Sequence, residues 1–174
     1  CDAVLVGAVD ETSDVLAHVV RRKWMPAADG IARPAQAGQT AYVPGEGAVF
    51  VRLERGSGPA IAVEDGPSPA AGAHLFNAGA LGSDDDALRR WVQPSVPAQT
   101  FVSLLGSTRI GSAFHLAIAG LMRQDNRFYP DVLAPARGGF SGGGTGAPGG
   151  PIQVISACGS RCRAITLHAA GERG

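Results

Sequence analysis

The sequence predicts an α/β fold, and three observations predict it. Residues 3–9 form a short continuous apolar run, the pattern of a strand buried on both faces. Residues 112–122 carry Ala113, Leu116, Ala117, Gly120 and Leu121 at helical spacing, with small residues that allow close packing. Strand-like and helix-like segments alternate from end to end, the order expected of layered strands and helices.

Taken in order, the run at 3–9 is followed by Asp10, Glu11, Thr12 and Ser13, a cluster of helix-start residues. Val15, Leu16, Val19 and Val20 then make an apolar stripe, and Arg21, Arg22 and Lys23 place positive charge at that helix's C-terminus, where its dipole favours it. Residues 26–46 read as a loop. Residues 47–54 read as a second strand, and 61–63 as a third apolar run. A coarse boundary separates 1–66 from 67–174. Residues 73–81 suit a short strand and turn. Ser83 is the expected N-cap of a helix whose first turn holds Asp84, Asp85 and Asp86 and which runs to Pro94. Residues 101–105 read as strand-like, 152–156 and 164–168 as strands. Eight of the thirteen residues at 138–150 are glycine, so that stretch is expected to be a flexible loop.

Composition narrows the function. The 174 residues hold 15 Lys plus Arg against 15 Asp plus Glu, a formal net charge of zero, which argues against a general nucleic-acid or anionic-membrane binder. Only 17% of residues are charged, a surface expected to live against a partner. No apolar run reaches the ~18 residues of a membrane span, and no basic segment of a signal peptide opens the chain. The missing initiator Met implies numbering that starts inside a longer chain. Cys1, Cys158 and Cys162 make neither a disulfide framework nor a metal set, so reduced thiols, no metal, no cofactor and a cytoplasmic location are expected.

Four segments, in order, resemble beta-ketoacyl synthases of the thiolase superfamily. Residues 1–11, Cys-Asp-Ala-Val-Leu-Val-Gly-Ala-Val-Asp-Glu, look like the strand after that family's nucleophile helix. Residues 45–54, Gly-Glu-Gly-Ala-Val-Phe-Val-Arg-Leu-Glu, look like its Gly-Glu-Gly-Ala strand. Residues 110–120, Ile-Gly-Ser-Ala-Phe-His-Leu-Ala-Ile-Ala-Gly, resemble its Gly-His turn and following helix. Residues 156–164, Ser-Ala-Cys-Gly-Ser-Arg-Cys-Arg-Ala, fall at its Gly-rich loop. The resemblance implies a partial thiolase-like layered fold: the end of an N-terminal half in 1–66 and a C-terminal half in 67–174. A lone second half is expected to expose an apolar sheet face or to cover it in a tight dimer.

The family's chemistry uses a Cys nucleophile and two His that support decarboxylation of a malonyl unit and hold charge on its thioester oxygen. The resemblance puts the Cys upstream of residue 1. It puts the first His within residues 76–84, where none stands; His74 lies a few residues early. The second His aligns with Ser112, and the family's Lys with Ser107; serine supplies neither positive charge nor a proton-donating ring. His115 lies one helical turn beyond Ser112. The catalytic candidates that remain are thus His74, His115 and Cys158, the last beside Arg161 and Arg163, which favour a thiolate. Phe114, Gly159 and Ser160 are candidates for an acyl pocket.

Scaffold residues match while chemical residues do not, as in chain-length-factor subunits. The resemblance therefore implies a non-catalytic ketosynthase-like subunit in polyketide, aryl-polyene or fatty-acid biosynthesis, with a ketosynthase partner or a homodimer and an acyl carrier protein. Two other readings stay open. One is a divergent active beta-ketoacyl synthase fragment whose Cys lies upstream. The other is a plain protein-interaction module.

Overall fold

The computed structural model describes residues 2–23, 45–56, 58–68, 71–77, 85–91, 93, 95–106, 108–130, 146–158 and 161–171. Cys1, Ser83, Ser107, Gly159 and Ser160, most of the loop at 26–46 and residues 138–145 of the Gly-rich stretch lie outside them.

The chain opens with β1 (Ala3–Asp10), α1 (Asp14–Lys23) and β2 (Gly47–Glu54). The Ser13 hydroxyl caps α1, accepting from the Leu16 N–H at 3.2 Å. β1 and β2 pair antiparallel over their whole length, Ala3 against Glu54 and Asp10 against Gly47, as a separate two-stranded ribbon. The expectation of a first strand buried on both faces is corrected here. Val4 and Val6 point one way, Leu5 and Val9 the other, and all four are at least half exposed. The run is apolar enough for an interior strand, but within the described residues β2 is its single strand neighbour.

The remainder builds a five-stranded sheet in the order β3-β7-β6-β4-β5 from β3 (Ala60–Glu64), β4 (Ala73–Phe76), β5 (Ala98–Gln99), β6 (Ile152–Cys158) and β7 (Arg161–His168). β4 runs parallel to both β5 and β6, and β7 runs antiparallel to both of its neighbours, β6 and β3. β3, before residue 66, and β4, after it, belong to this one sheet, while β1 and β2 form the other. Among the described residues α2 (Asp85–Arg89), α3 (Val102–Leu105) and α4 (Gly111–Gln124) accompany it.

Alternation along the strands sorts the core into two faces. Ala73, Leu75, Ile152, Val154 and Leu167 pack against Ala119 and Met122 of α4, with Phe101 and Phe128 closing the cluster. Phe76, Ile155, Ala157 and Ala164 point the other way and pack on Ala87 and Leu88 of α2. α4 ends in a Schellman arrangement: Asn126 takes φ 49°, and the N–H of Arg127 reaches back to the Met122 carbonyl at 3.0 Å.

Residues 101–105, expected as strand, form a helical turn instead. The N–H groups of Leu105 and Gly106 bond to the carbonyls of Phe101 and Val102, at 2.9 and 2.8 Å. Phe101 and Val102 are both buried while Leu104 is exposed, a helical rather than alternating pattern. The strand of this region is the two-residue β5 just before it. α2 is shorter than expected, five residues ending at Arg89.

Candidate functional site

The N-terminus of α4 lies at the C-terminal ends of the parallel pair β4 and β6, where ligands of open α/β sheets commonly bind. Asn77 continues β4 by one residue, its N–H donating to the Ile155 carbonyl at 2.9 Å. On β6, Ser156 shares the α4-facing side with Ile152 and Val154. Ser112 is the second residue of α4. These three side chains meet: the Asn77 amide donates to the Ser112 hydroxyl at 3.1 Å, and the Ser112 and Ser156 hydroxyl oxygens lie 2.5 Å apart. Asn77 is buried, and its carbonyl oxygen has no hydrogen-bond partner. Gly111 is required beneath it, because a Cβ there would run into the Asn77 carboxamide.

His115 ties α4 to the segment before α3. It is fully buried. Its Nδ1–H donates to the Gly111 carbonyl at 2.7 Å, and its Nε2 accepts the Phe101 N–H at 3.0 Å. A ring that donates at one nitrogen and accepts at the other is neutral. Burial pushes its pKa down to about 4, against a weaker opposing effect of the Gly111 bond. Both nitrogens are committed to backbone, so the ring has none left for a substrate.

His74 lies on the opposite face of the sheet from Ser156. It alternates with Leu75 and shares a side with Phe76, against whose ring it packs edge-on at 5.6 Å. Directly across the strands it joins a polar row: His74 opposite Gln153, and Gln153 opposite Thr166. The Gln153 amide donates to Glu64 at 2.7 Å and to Thr166 at 3.0 Å, while its oxygen accepts the Ser68 N–H at 2.8 Å. His74 itself is fully buried with neither ring nitrogen in a hydrogen bond. Burial holds its pKa below the ordinary range, opposed only in part by the nearby Ser68 backbone and Gln153 side chain. His74 and His115 therefore do not converge; one is on each side of the sheet.

The ribbon meets the site at one end. The Arg109 N–H donates to Asp10 Oδ2 at 2.8 Å, and within the ribbon's own end the Thr12 N–H donates to Glu46 Oε2 at 3.2 Å. Phe114, expected near an acyl pocket, is half-buried at this seam; a Cβ on Gly47 would come within 2.9 Å of its ring. The other two pocket candidates, Gly159 and Ser160, lie outside the described residues, as does the side chain of Cys158. Among the described residues no group of three or more His, Cys, Asp or Glu is arranged to hold a metal ion. No described helix is long and apolar enough to cross a membrane.

Of the positions singled out from sequence, Ser112 is at the centre of this cluster, and Asn77 and Ser156 are the partners that reasoning passed over. Their signal was positional. Asn77 sits in the segment expected to hold an imidazole, and Ser156 opens the fourth matching segment.

The fold is mixed α/β and consistent with part of a thiolase-like layer structure. Solved structures carry that statement. A beta-ketoacyl synthase from Burkholderia phymatum STM815 superposes with a TM-score of 0.65 at 15% identity, covering 97% of this chain and 55% of that one. The ishigamide ketosynthase/chain length factor gives 0.67 at 12% identity, over 97% of this chain and 54% of that one. The ketosynthase from module 6 of the bacillaene synthase of Bacillus subtilis 168 gives 0.61 at 16% identity, over 98% and 42%. This chain thus spans about half the length of the solved structures it matches. No protein-family model matches the sequence. No curated protein matches it either.

Proposed function

We propose that this chain is a non-catalytic, chain-length-factor-type subunit that works beside an active ketosynthase in polyketide, aryl-polyene or fatty-acid biosynthesis. The observation that carries the reading is the hydroxyl–amide cluster at the head of α4. Ser112, aligned with a family imidazole, is bonded to Asn77 and Ser156, and none of the three groups titrates near neutral pH. Decarboxylation of a malonyl unit leaves a carbanion and charge on the thioester oxygen. Two hydroxyls and an amide hydrogen-bond a carbonyl but supply no cation and no proton-donating ring. Of the two candidate imidazoles, His115 is committed to backbone and His74 is buried on the other face of the sheet.

The reading extends to the partners. The exposed apolar residues of the ribbon support association with a ketosynthase or a second copy; a cytoplasmic location and substrate presented by an acyl carrier protein belong to the same proposal. The same reading divides the chain into the end of an N-terminal half, residues 1–66, and a C-terminal half, residues 67–174. The test is incubation with carboxyl-labelled malonyl carrier protein, with the chain alone, with an active ketosynthase, and with both. The expected result is no labelled carbon dioxide from the chain alone and retention of the chain on immobilised ketosynthase. Label released by the chain alone would overturn the proposal in favour of a divergent condensing enzyme.

A further inference from the structure

We infer that the outer edge of β1, from Val4 to Val9, takes an added β-strand from another polypeptide, apolar along its length and basic beyond both ends. The inference names what lies beside the ribbon and holds whether or not the chain decarboxylates malonyl groups.

The two strands of the ribbon differ in kind. β2 alternates: Val49 is buried and Val51 and Leu53 half-buried on one side, while Phe50, Arg52 and Glu54 are exposed on the other. Arg52 and Glu54 pair at 2.7 Å on that exposed side. This is the pattern of a strand with one solvated face. β1 has no polar side chain between Ala3 and Val9, the composition of a strand inside a covered sheet. Among the described residues it has β2 alone beside it, and Val4, Leu5, Val6 and Val9 are between 50% and 67% exposed.

Proteins protect exposed edges with Lys, Pro, a bulge or an inward charge. β1 uses none of these. Its register against β2 runs unbroken from Ala3 to Asp10, and no Lys, Arg or Pro interrupts it. A two-stranded ribbon is marginal by itself in water, and a third strand supplies the pairing it lacks. The backbone of β1 is thus a template for strand addition.

Charge decides which strand fits. Asp2 and Glu11 are exposed just beyond the two ends of β1. A second copy fits badly. Antiparallel pairing with Val4 opposite Val9 sets Asp2 opposite Glu11, and parallel pairing sets each acid beside its own copy. Like charges directly opposite are destabilising. A strand with Lys or Arg beyond each end meets an acid at both.

Fluorescence anisotropy of the full chain with labelled peptides tests this. The probe is a short run of alternating Val and Thr with a pair of Lys at each end. Control peptides carry Glu in place of the Lys, or Pro at the centre. The Lys-ended peptide is expected to bind about tenfold more tightly than the Glu-ended one at low salt, the gap narrowing as salt rises. The Pro peptide, which lacks a ladder donor, should not bind. The double variant Asp2→Lys/Glu11→Lys should reverse the order of the two charged peptides, which loss of the fold could not do. Equal binding of those peptides, an order that the double variant leaves unchanged, or no binding of either overturns the inference. So does a dimer, seen by sedimentation, that Val6→Lys dissolves, because the edge then belongs to a second copy. Carbon dioxide release is read separately, so failure here leaves the non-catalytic reading standing.

Discussion

The β1–β2 ribbon and the five-stranded sheet are written in similarly apolar strands, yet they fare oppositely. Leu75, Phe76, Ile152 and Ile155 in the sheet are fully buried, whereas Leu5 is 67% exposed, Val9 66% and Phe50 61%. The difference is in what surrounds each strand. α4 covers one face of the central strands and α2 the other, and only the edge strand β3 leaves Ile61 and Val63 exposed among the sheet's large apolar residues. Among the described residues the ribbon touches the rest chiefly at one end, Asp10 against Arg109 and Gly47 against Phe114. An apolar run states that a strand wants covering; it does not state that the same chain covers it.

That contrast can be broken in order of effect. The largest change is expected from Phe76→Ala, which empties the α2-side core and should cost about 3–5 kcal/mol by urea denaturation. A loss below about 1 kcal/mol would show that the sheet's α2 side is loosely packed.

Acidification comes next. His115 is neutral in the fold, with a pKa lowered to about 4 from an ordinary 6.5. Below 6.5 the unfolded chain takes up the proton that the folded chain refuses, so stability is full above that pH and falls as the pH drops toward 4. The loss is about 3 kcal/mol at most, a ceiling set by the pKa difference. His74, lowered in the same direction, adds to the fall. Urea midpoints measured across that range should decline, and those of a His115→Gln variant should decline less steeply.

Gly111→Ala is expected to follow, at about 1–3 kcal/mol, because the added methyl meets the Asn77 carboxamide. The smallest effect belongs to the ribbon. Leu5→Ser should change the stability of the isolated chain by less than about 0.5 kcal/mol, as at other exposed positions. The same substitution should weaken capture by a ketosynthase if the ribbon is the docking face.

Much of this fold is legible in the residues themselves. β1, β2, β6 and α4 each have a strong periodic or continuous apolar signal, and Ser13 marks the start of α1 through its cap. Short elements were not legible. β5 is two residues long, too short for any periodicity, and the apolar run after it reads as a strand until Gly106 closes a helical turn. The site was half legible. Matching motifs located Ser112 but treated it as an absence, because they were searched for imidazole and lysine. That Asn77 and Ser156 would reach it depends on β4 and β6 being parallel neighbours, a pairing between residues about eighty positions apart that no local pattern encodes. His74 misled for the opposite reason: it is close in sequence to the expected position, but strand alternation turns it to the other face.

The account's central claim is that no imidazole serves the site at the head of α4. Side-chain NMR of the four ¹⁵N-labelled histidines, with acetyl-pantetheine titrated in, tests it most directly. The account predicts a His115 ring in the Nδ1–H form, neutral down to about pH 4, and no histidine resonance that moves with ligand. A ligand-dependent shift of His74 or His115, or a His115 ring that titrates near 6.5, would contradict it.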